Sequence, residues 1–518
     1  MPRLTRSEIY TQRMNRLFFQ IGGPFPDSAW QYYGLNAQYA MLDGVSESYG
    51  GVDPIYVKDP IVTDRYQIVG RQRNVPDLGT ANLTLMEKIG YVPRDLGKQG
   101  CEFNLYRPVG NCKSLADFNN GWDYVEVYGG CIAEERDGGD VFPQDGDEAL
   151  TNAYSLKIAE MYKVGRLSFG DKASTAVDRE VVDVVWGGGI SCGNCGPADD
   201  GTTRLYAVTQ SSGAASPGLQ AEVIYVHRNK VDGSTTVYQY PLSYLSTSEQ
   251  PSAIDIMGDY LIVVSNDAGS YAYAAINPLD GTLGAFTEVT TGVVATKEPN
   301  DIFVANPFQA YLVGDGGYIY SLTTVTGGLT TLDAGDATTQ NLNRIHGDGL
   351  STLVAVGAAA TVAYSTNGGV AWQTTSAAPG SAALTAVSVK DAYHWWVGGA
   401  SRYYTRNTGV SWTQQAIAGA TNIYDIVFAT PEIGYALYIN ATPAARISVT
   451  MNGGHDWADV GNGEIVSRVQ GWPSFQLGNR LAVPNSTPDI ATALLAVAGR
   501  AGAASTDGRL LIGASSLL

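Results

Sequence analysis

Ser365-Thr366-Asn367-Gly368-Gly369-Val370-Ala371-Trp372 returns as Thr405-Arg406-Asn407-Thr408-Gly409-Val410-Ser411-Trp412, and again as Thr450-Met451-Asn452-Gly453-Gly454-His455-Asp456-Trp457. The tryptophans fall 40 and 45 residues apart. Asn-Gly supplies the positive φ values of a tight hairpin, and the tryptophan is placed to pack back over the turn. Ser505-Thr506-Asp507-Gly508 is a fourth, degenerate copy.

Outward from these turns, an apolar β run recurs as Leu205–Val208, Leu261–Val264, Ala310–Val313, Leu353–Val356, Tyr393–Val397, Gly434–Tyr438 and Leu494–Val497, at spacings of roughly 40 to 60 residues. Several are followed by a second β run: Tyr318–Tyr320, Val362–Ser365, Arg402–Thr405 and Arg446–Thr450. A unit of about 40 residues with several short strands cannot bury its apolar face alone, and radial repetition in a β-propeller solves that problem. Seven runs predict seven blades over residues 203–518. A ring also needs a closing strand, for which Val181–Trp186 is the candidate.

The composition agrees with a folded, β-rich chain. Of 518 residues, 44% are hydrophobic, 16% charged and 61 are glycine, and the net charge is −18. A disordered acidic chain would lack that apolar content, and the length is enough for at least two domains. The charge is uneven: net +2 over residues 1–113, −11 over 114–200 and −9 over 201–518. No basic stripe supports phosphate neutralisation of nucleic acid. No stretch of 18 apolar residues predicts a membrane span, and Leu17–Ile21, interrupted by Gln20, is too short for a signal-peptide core.

Residues 1–186 show no repeat. Tyr66–Gly70, Ala81–Met86 and Asp123–Tyr128 are strand candidates, while Ser155–Met161 fits a strand or a short helix. Glu134–Glu148 holds seven carboxylates without the EF-hand order, so a solvated loop is expected there ahead of a calcium site. Residues 187–202 form a glycine- and cysteine-rich joint. The expected division is therefore 1–186, the joint 187–202, and the propeller 203–518.

Few residues suggest chemistry. Cys192-x-x-Cys195 fits a disulfide or packed thiols, a zinc site completed by distant Cys101 and Cys112, or a redox pair, for which the helix context is missing. The fifth cysteine, Cys131, leaves an odd count. His227, His346, His394 and His455 are scattered singly. A surface position is expected for His455; His394, beside Trp395 and Trp396, fits a satisfied core histidine or a channel-lining one. Asp255, Asp301, Asp348, Asp391 and Asp425 lie on segments leading into the apolar runs, where repetition alone accounts for recurring turn aspartates. Glycoside hydrolysis needs a carboxylate pair, and no Gly-x-Ser-x-Gly elbow or phosphate-binding loop is present. No catalytic, cofactor-binding or metal-binding residue is assigned, and no cofactor is expected.

The repeated turn resembles the Asp-box, Ser-x-Asp-x-Gly-x-x-Trp, of sialidase-type and photosystem-assembly-factor-like propellers, with Asn367, Asn407 and Asn452 in the aspartate position and Thr405 and Thr450 in place of the leading serine. The box is structural in those families, so the resemblance implies fold and leaves activity open. In the first section, Cys101-Glu102-Phe103-Asn104-Leu105-Tyr106, Gly110-Asn111-Cys112, Asp117-Phe118-Asn119-Asn120, the strand Leu78–Leu85 and Cys192-Gly193-Asn194-Cys195 are similar to tail tube proteins of long-tailed bacteriophages. That resemblance covers residues 60–210. It implies a mainly β chain with a tail-tube-like assembly domain followed by a seven-bladed propeller, and no enzymatic activity. It further implies hexameric rings stacked into a tube, other tail proteins as partners, viral DNA passing without specific binding, host surface glycans as propeller ligands, and a place in the virion tail after assembly in the host cytoplasm. The alternative is a propeller glycan-binding protein or glycoside hydrolase.

Overall fold

The computed structural model describes residues 18–21, 40–46, 55–58, 66–70, 79–86, 103–109, 124–137, 151–165, 167–169, 174–177, 179–187, 202–211, 220–229, 235–245, 249–265, 270–292, 294, 296–349, 351–417, 419–440, 445–450, 453–454, 457–459, 469–470, 477–485, 488–500 and 508–515. The chain divides into two compact units, Met1–Val164 and Gly165–Leu518.

The first unit is built on one antiparallel sheet in the order Phe18–Ile21, Phe103–Val109, Tyr124–Asp137, Thr151–Ile158, Gly79–Met86, Ala40–Ser46. The long strand Tyr124–Asp137 pairs by its first half with Phe103–Val109 and by its second half with Thr151–Ile158. Gly130, at φ 61°, stands in the register shift of the pairing with Phe103–Val109, a conformation glycine adopts without a Cβ penalty. Phe103, Leu105, Val125, Val127, Cys131 and Leu156 are buried in its core. The expected strands Tyr66–Gly70 and Ala81–Met86 form, Asp123–Tyr128 corresponds to the start of Tyr124–Asp137, and Ser155–Met161 is strand on either side of a bend at Ala159. Residues 134–137 of the acidic stretch extend Tyr124–Asp137 instead of lying in a loop, and 138–148 lie outside the described residues.

The second unit is mainly β, with repeated four-stranded antiparallel sheets in a β-propeller-like arrangement. Six sheets are simple meanders. Blade 1 is Val181–Gly187, Thr202–Thr209, Glu222–Asn229, Thr235–Pro241; blade 2 is Pro251–Met257, Tyr260–Ser265, Ser270–Ala275, Thr287–Val289; blade 3 is Pro299–Asn306, Gln309–Gly314, Tyr318–Leu322, Thr330–Ala334. Blade 4 is Leu342–Gly347, Leu353–Gly357, Val362–Ser365, Gln373–Thr374; blade 5 is Ala386–Val389, Trp395–Gly398, Arg402–Thr405, Thr413–Gln415; blade 6 is Ala420–Phe428, Gly434–Asn440, Ala445–Thr450, Ala458–Asp459. In blade 7, Leu477–Ala482, Leu494–Arg500 and Gly508–Ser515 are joined at the outer side by Leu167–Ser168 and Ser174–Val177. The first strand of each blade contacts the first strand of the next, and Leu477–Ala482 contacts Val181–Gly187, so these innermost strands run round a closed ring.

All seven apolar runs lie on second strands, with Tyr393 and His394 of the fifth in the turn that leads into Trp395–Gly398. A second strand is flanked on both edges and covered on both faces, so it reads as a nearly continuous apolar run. Clusters such as Tyr206, Val223 and Leu261 between blades 1 and 2, or Ile262, Tyr271 and Leu312 between blades 2 and 3, bury the sheet faces against each other, and Val181, Leu205 and Leu494 do the same between blades 1 and 7.

The structure revises how the ring closes. Val181–Gly187 is the innermost strand of blade 1, hydrogen-bonded to Thr202–Thr209, and the closing strands are Leu167–Ser168 and Ser174–Val177. Residues 187–202, read as a joint between domains, connect the first two strands of one sheet. Strands within residues 167–186, which the expected division placed in the assembly domain 1–186, pair inside the ring.

Candidate functional site

Six of the seven innermost strands carry a register shift at a comparable place, between Val181 and Asp183, Pro251 and Ala253, Pro299 and Asp301, Leu342 and Arg344, Ile423 and Asp425, and Gly478 and Arg480. Such irregularities re-aim side chains, and here they mark a recurring three-residue pattern: Ser252-Ala253-Ile254, Asn300-Asp301-Ile302, Asn343-Arg344-Ile345, Thr385-Ala386-Val387 and Asn479-Arg480-Leu481, with Val182-Asp183-Val184 and Tyr424-Asp425-Ile426 as variants.

Polar members of this pattern bridge the blades. Ser252 Oγ donates to Pro299 O at 3.1 Å, Asn300 Nδ2 to Leu342 O at 3.0 Å, Asn343 Nδ2 to Leu384 O at 2.8 Å, Thr385 Oγ1 to Ile423 O, and Asn479 Nδ2 to Val181 O at 2.9 Å. Acceptors answer them. Asp183 Oδ2 accepts from Ile254 N at 2.9 Å, Asp255 Oδ2 from Val304 N at 2.8 Å, Asp301 Oδ2 from Ile345 N at 2.8 Å, and Asp425 Oδ2 from Leu481 N at 2.8 Å. At the remaining junction of this kind, His346 Nδ1 accepts from Val389 N at 3.1 Å. Every one of the seven blade junctions is bridged by at least one of these bonds, which satisfy backbone groups on strands that have a sheet neighbour on one side only.

The same residues meet in a cavity of about 280 Å³, lined by Asp183, Asp255, Asp301, His346, Asp425 and Arg480 among others. Arg480 lies 3.3 Å (Nε) from Asp183 Oδ1 and 4.0 Å (Nη1) from Asp425 Oδ1, and its Nη2 donates to Asp301 Oδ1. Burial pushes the Asp183 carboxyl up to about 6, against the pull of Arg480, and pushes Asp255 up to about 7. Burial also raises Asp425 and lowers the Arg344 guanidinium. The three carboxylates around Arg480 favour its charged form and raise it despite burial. Burial pushes His346 down to about 4, so it is neutral near pH 7, as its role as a hydrogen-bond acceptor requires.

This arrangement holds the ring together. Asp183, Asp255 and Asp425 each commit the second oxygen to the N–H of their own following residue, at 2.8, 2.8 and 2.9 Å, and Asp301 commits it to Arg480. A glycosidase pair needs a proton donor and a base or nucleophile facing substrate, whereas these carboxylates face backbone N–H groups and a guanidinium. Among the described residues, no group of three or more His, Cys, Asp or Glu side chains is placed to hold a metal ion.

The individual candidates separate accordingly. Asp255, Asp301 and Asp425, read as turn aspartates, are ring-bridging residues, joined by Asp183 and Arg480, which the sequence reading missed. The signal available was the recurring Asn/Ser/Thr-x-Ile/Val/Leu pattern on the segments before the apolar runs. Asp348 and Asp391 are turn residues. Asp348 accepts from Ser351 N and Thr352 N at 3.0 Å each, and Asp391 Oδ1 accepts from Tyr393 N at 2.7 Å and His394 N at 3.0 Å. His394 is in that turn, partly exposed, with Nδ1 2.7 Å from Asp391 Oδ2, neither a core nor a channel-lining position. His227 stacks on Tyr225 in the third strand of blade 1. Cys131 is buried, its Sγ donating to Tyr128 O. Cys101, Cys112, Cys192, Cys195 and His455 lie outside the described residues, as do Ser505–Asp507 of the fourth turn copy.

A second feature lies at one end of the blades. In a four-stranded meander, the turn joining strands one and two and the turn joining strands three and four lie at the same end. The repeated motif forms the latter turn. Ser365 Oγ accepts from Gly369 N at 2.9 Å, Asn367 Oδ1 accepts from Ala371 N at 3.0 Å, and Trp372 Nε1 donates to Gly369 O at 3.1 Å. Thr405 and Asn407 repeat the bonds to Gly409 N and Ser411 N at 3.0 and 2.9 Å. Asparagine serves here because only its carbonyl oxygen is needed. Each turn is tied to its neighbour at that end, Gly368 N to Ser351 O and Thr408 N to Tyr393 O. At this end Leu279, Phe308, Val370, Tyr393 and Val410, on four consecutive blades, are 60% to 84% exposed.

No family model matches the chain, and no curated protein matches it. Among solved structures it is similar to YCF48 bound to D1 peptide, at 12% identity over 68% of this chain and 100% of that one with a TM-score of 0.45. It is also similar to YCF48 from Cyanidioschyzon merolae, at 13% identity over 66% and 98% with a TM-score of 0.44. A third is Sqt1 from Chaetomium thermophilum bound to the N-terminus of the ribosomal protein L10, at 10% identity over 67% and 98% with a TM-score of 0.43.

None of these is a phage tail protein, and the tail-tube resemblance is corrected. With it go the virion function, the hexameric stacked rings, and the tail-protein, viral DNA and host-glycan partners. The physical reason is in the pairing: the strands at the end of the stretch 60–210 that the resemblance covered, from Leu167–Ser168 to Thr202–Thr209, are hydrogen-bonded into blades 7 and 1. Short alternating strands broken by Gly and Asn belong to any turn-rich β sheet.

Proposed function

We propose that the second unit is a binding module, without turnover, that takes a polypeptide segment of another protein on the end of the ring formed by the first–second and third–fourth strand turns. The observation that carries this reading is the run of exposed Leu279, Phe308, Val370, Tyr393 and Val410 along that end. Of the exposed large apolar residues in the described connections, Val294 alone stands at the other end. Exposed apolar groups concentrated on one face mark interaction surfaces, and aromatic side chains are frequent anchors. Val370 and Val410 are held at equivalent places on turns fixed by their own side-chain bonds, so they are presented without an ordering cost on binding. The same turns carry Asp259, Asp280, Asp348, Asp391 and Glu432 against Lys390 and Arg406, which favours a basic, apolar segment.

The test is selection of peptides from a random library on the immobilised protein, followed by calorimetry with the variant F308S/Y393S. Selected peptides rich in apolar and basic residues, bound at least about tenfold more weakly by the variant, are the expected result. Peptides that bind both proteins equally contradict the reading. So does a glycan-array signal that disappears in the variant while no peptide is selected.

A further inference from the structure

The outermost strand of blade 1, Thr235–Pro241, is unlike the other outer strands. It has seven residues, six of them exposed, and Val237 and Tyr238 are each 40% exposed. The outer strands of blades 2 to 6 have three, five, two, three and two residues, and the outer side of blade 7 is made of Ser174–Val177 and of Leu167–Ser168 with the two-residue Val469–Gln470 beyond it. Native sheets blunt their edges by keeping them short, charged or interrupted by proline. Thr235-Thr236-Val237-Tyr238-Gln239-Tyr240 is long, carries no charge in a chain of net charge −18, and has proline only at its end. Among the described residues it pairs on one side only, with Glu222–Asn229.

What could cover this edge is written across the blade. Tyr206, Tyr225 and Tyr238 are register partners on three successive strands. Their rings stack at 4.9 and 5.5 Å between centroids, with interplanar angles of 16°. The ladder ends at exposed Tyr238, so an added strand that continues it brings an aromatic ring to the position opposite Tyr238. A second copy of the same strand does so. Run antiparallel about a two-fold axis at Tyr238, it sets Tyr238 against Tyr238, Val237 against Gln239 and Thr236 against Tyr240, with no like charges opposed. Cross-strand aromatic pairs of this kind stabilise a sheet, and a self-complementary patch closes as a two-fold dimer.

We propose that two copies of this chain associate through antiparallel pairing of Thr235–Pro241, joining two blade-1 sheets into one. This surface is separate from the turn end of the ring, and the proposal does not depend on the polypeptide-binding reading.

Sedimentation velocity of the full chain across a concentration series tests it, with Y238K, Y238E and their equimolar mixture run beside wild type. The expected result is a concentration-dependent dimer for wild type and a weakening of at least about tenfold in each single variant, where like charges face each other across the axis. The mixture, where Lys faces Glu, regains the dimer. Thermal unfolding matched to wild type confirms that each variant folds, and recovery in the mixture excludes misfolding even where the midpoint drops. A wild type that remains monomeric at every concentration overturns the proposal and leaves the edge to a strand from another protein. Variants that dimerise as wild type does also overturn it.

Discussion

The second strand of each blade and the innermost strand beside it belong to the same seven-fold repeat, yet they hold the ring by opposite chemistry. Second strands such as Tyr260–Ser265 and Gln309–Gly314 are almost wholly buried and apolar, and they act through area removed from water. Innermost strands alternate apolar residues, which pack between sheets, with polar ones, which reach the next blade. Asp183, Asp301 and Asp425 lie on blades 1, 3 and 6, and Arg480 on blade 7 gathers all three. The difference teaches that apolar packing builds each blade and its contact with the next, while directional bonds tie particular side chains of one innermost strand to the backbone of the next.

The comparison breaks most sharply at Arg480. Arg480→Leu leaves three carboxylates without their shared cation, and the expected loss of unfolding free energy in urea is about 3–5 kcal/mol. A loss below about 1 kcal/mol would place the group in the class of exposed pairs that contribute little. On the other side of the comparison, Leu312→Ala in a second strand, fully buried between blades 2 and 3, costs about 3 kcal/mol by leaving a cavity and leaves every blade junction bonded.

Acidity sharpens the same contrast, because the second strands carry no Asp, Glu or His. Asp255 is raised to about 7 from 3.8, chiefly by burial. Its folded form holds a proton more tightly than its unfolded form, so its contribution to stability is complete below about 3.8 and is lost as pH rises through about 7. His346 acts in the opposite sense. Lowered to about 4 from 6.5, it contributes stability above 6.5 that is lost as pH falls through about 4. Asp255→Asn removes the first effect alone. Urea titrations from about pH 4 to about pH 8 are expected to show the variant gaining on wild type as pH rises, on top of a constant loss of about 1–3 kcal/mol from an amide donor facing a backbone donor. A difference that does not change with pH would contradict the assignment.

The smallest effect concerns the turn end. Thr408 has φ 57° where the other two copies of the turn have glycine, Gly368 at 69° and Gly453 at 68°. A β-branched residue is strained there, and Thr408→Gly is expected to raise stability by about 1 kcal/mol, offset in part by the lost bond to Ala392 O. A lower thermal midpoint would show that this bond outweighs the strain.

How much of this was legible in the sequence follows from the same chemistry. The second strands announced themselves because burial on both faces leaves little room for polar residues, and the Asn-Gly-Gly turns did so because their backbone demands those residues. The innermost strands did not, since Asp301 and Arg480 meet across 179 positions and a lone aspartate before an apolar run looks like a turn residue. The closing strands were hidden for a related reason. Leu167–Ser168 and Ser174–Val177 are short and partly polar, while Val181–Trp186 has the apolar look of a buried strand and begins fourteen residues after Leu167, nearer to Thr202–Thr209. The exposed side chains of the turn end were present in the repeated motif as Val370 and Val410, but their exposure depends on the turn's geometry and not on its composition.

The central claim is that side chains of one innermost strand satisfy the backbone of the next, and amide hydrogen exchange of the native protein tests it without altering any residue. The N–H groups of Ile254, Val304, Ile345, Val389 and Leu481 donate to side chains of the preceding blade. The account predicts that they exchange as slowly as the amides of the second strands. Exchange at the rate of an open sheet edge would contradict it.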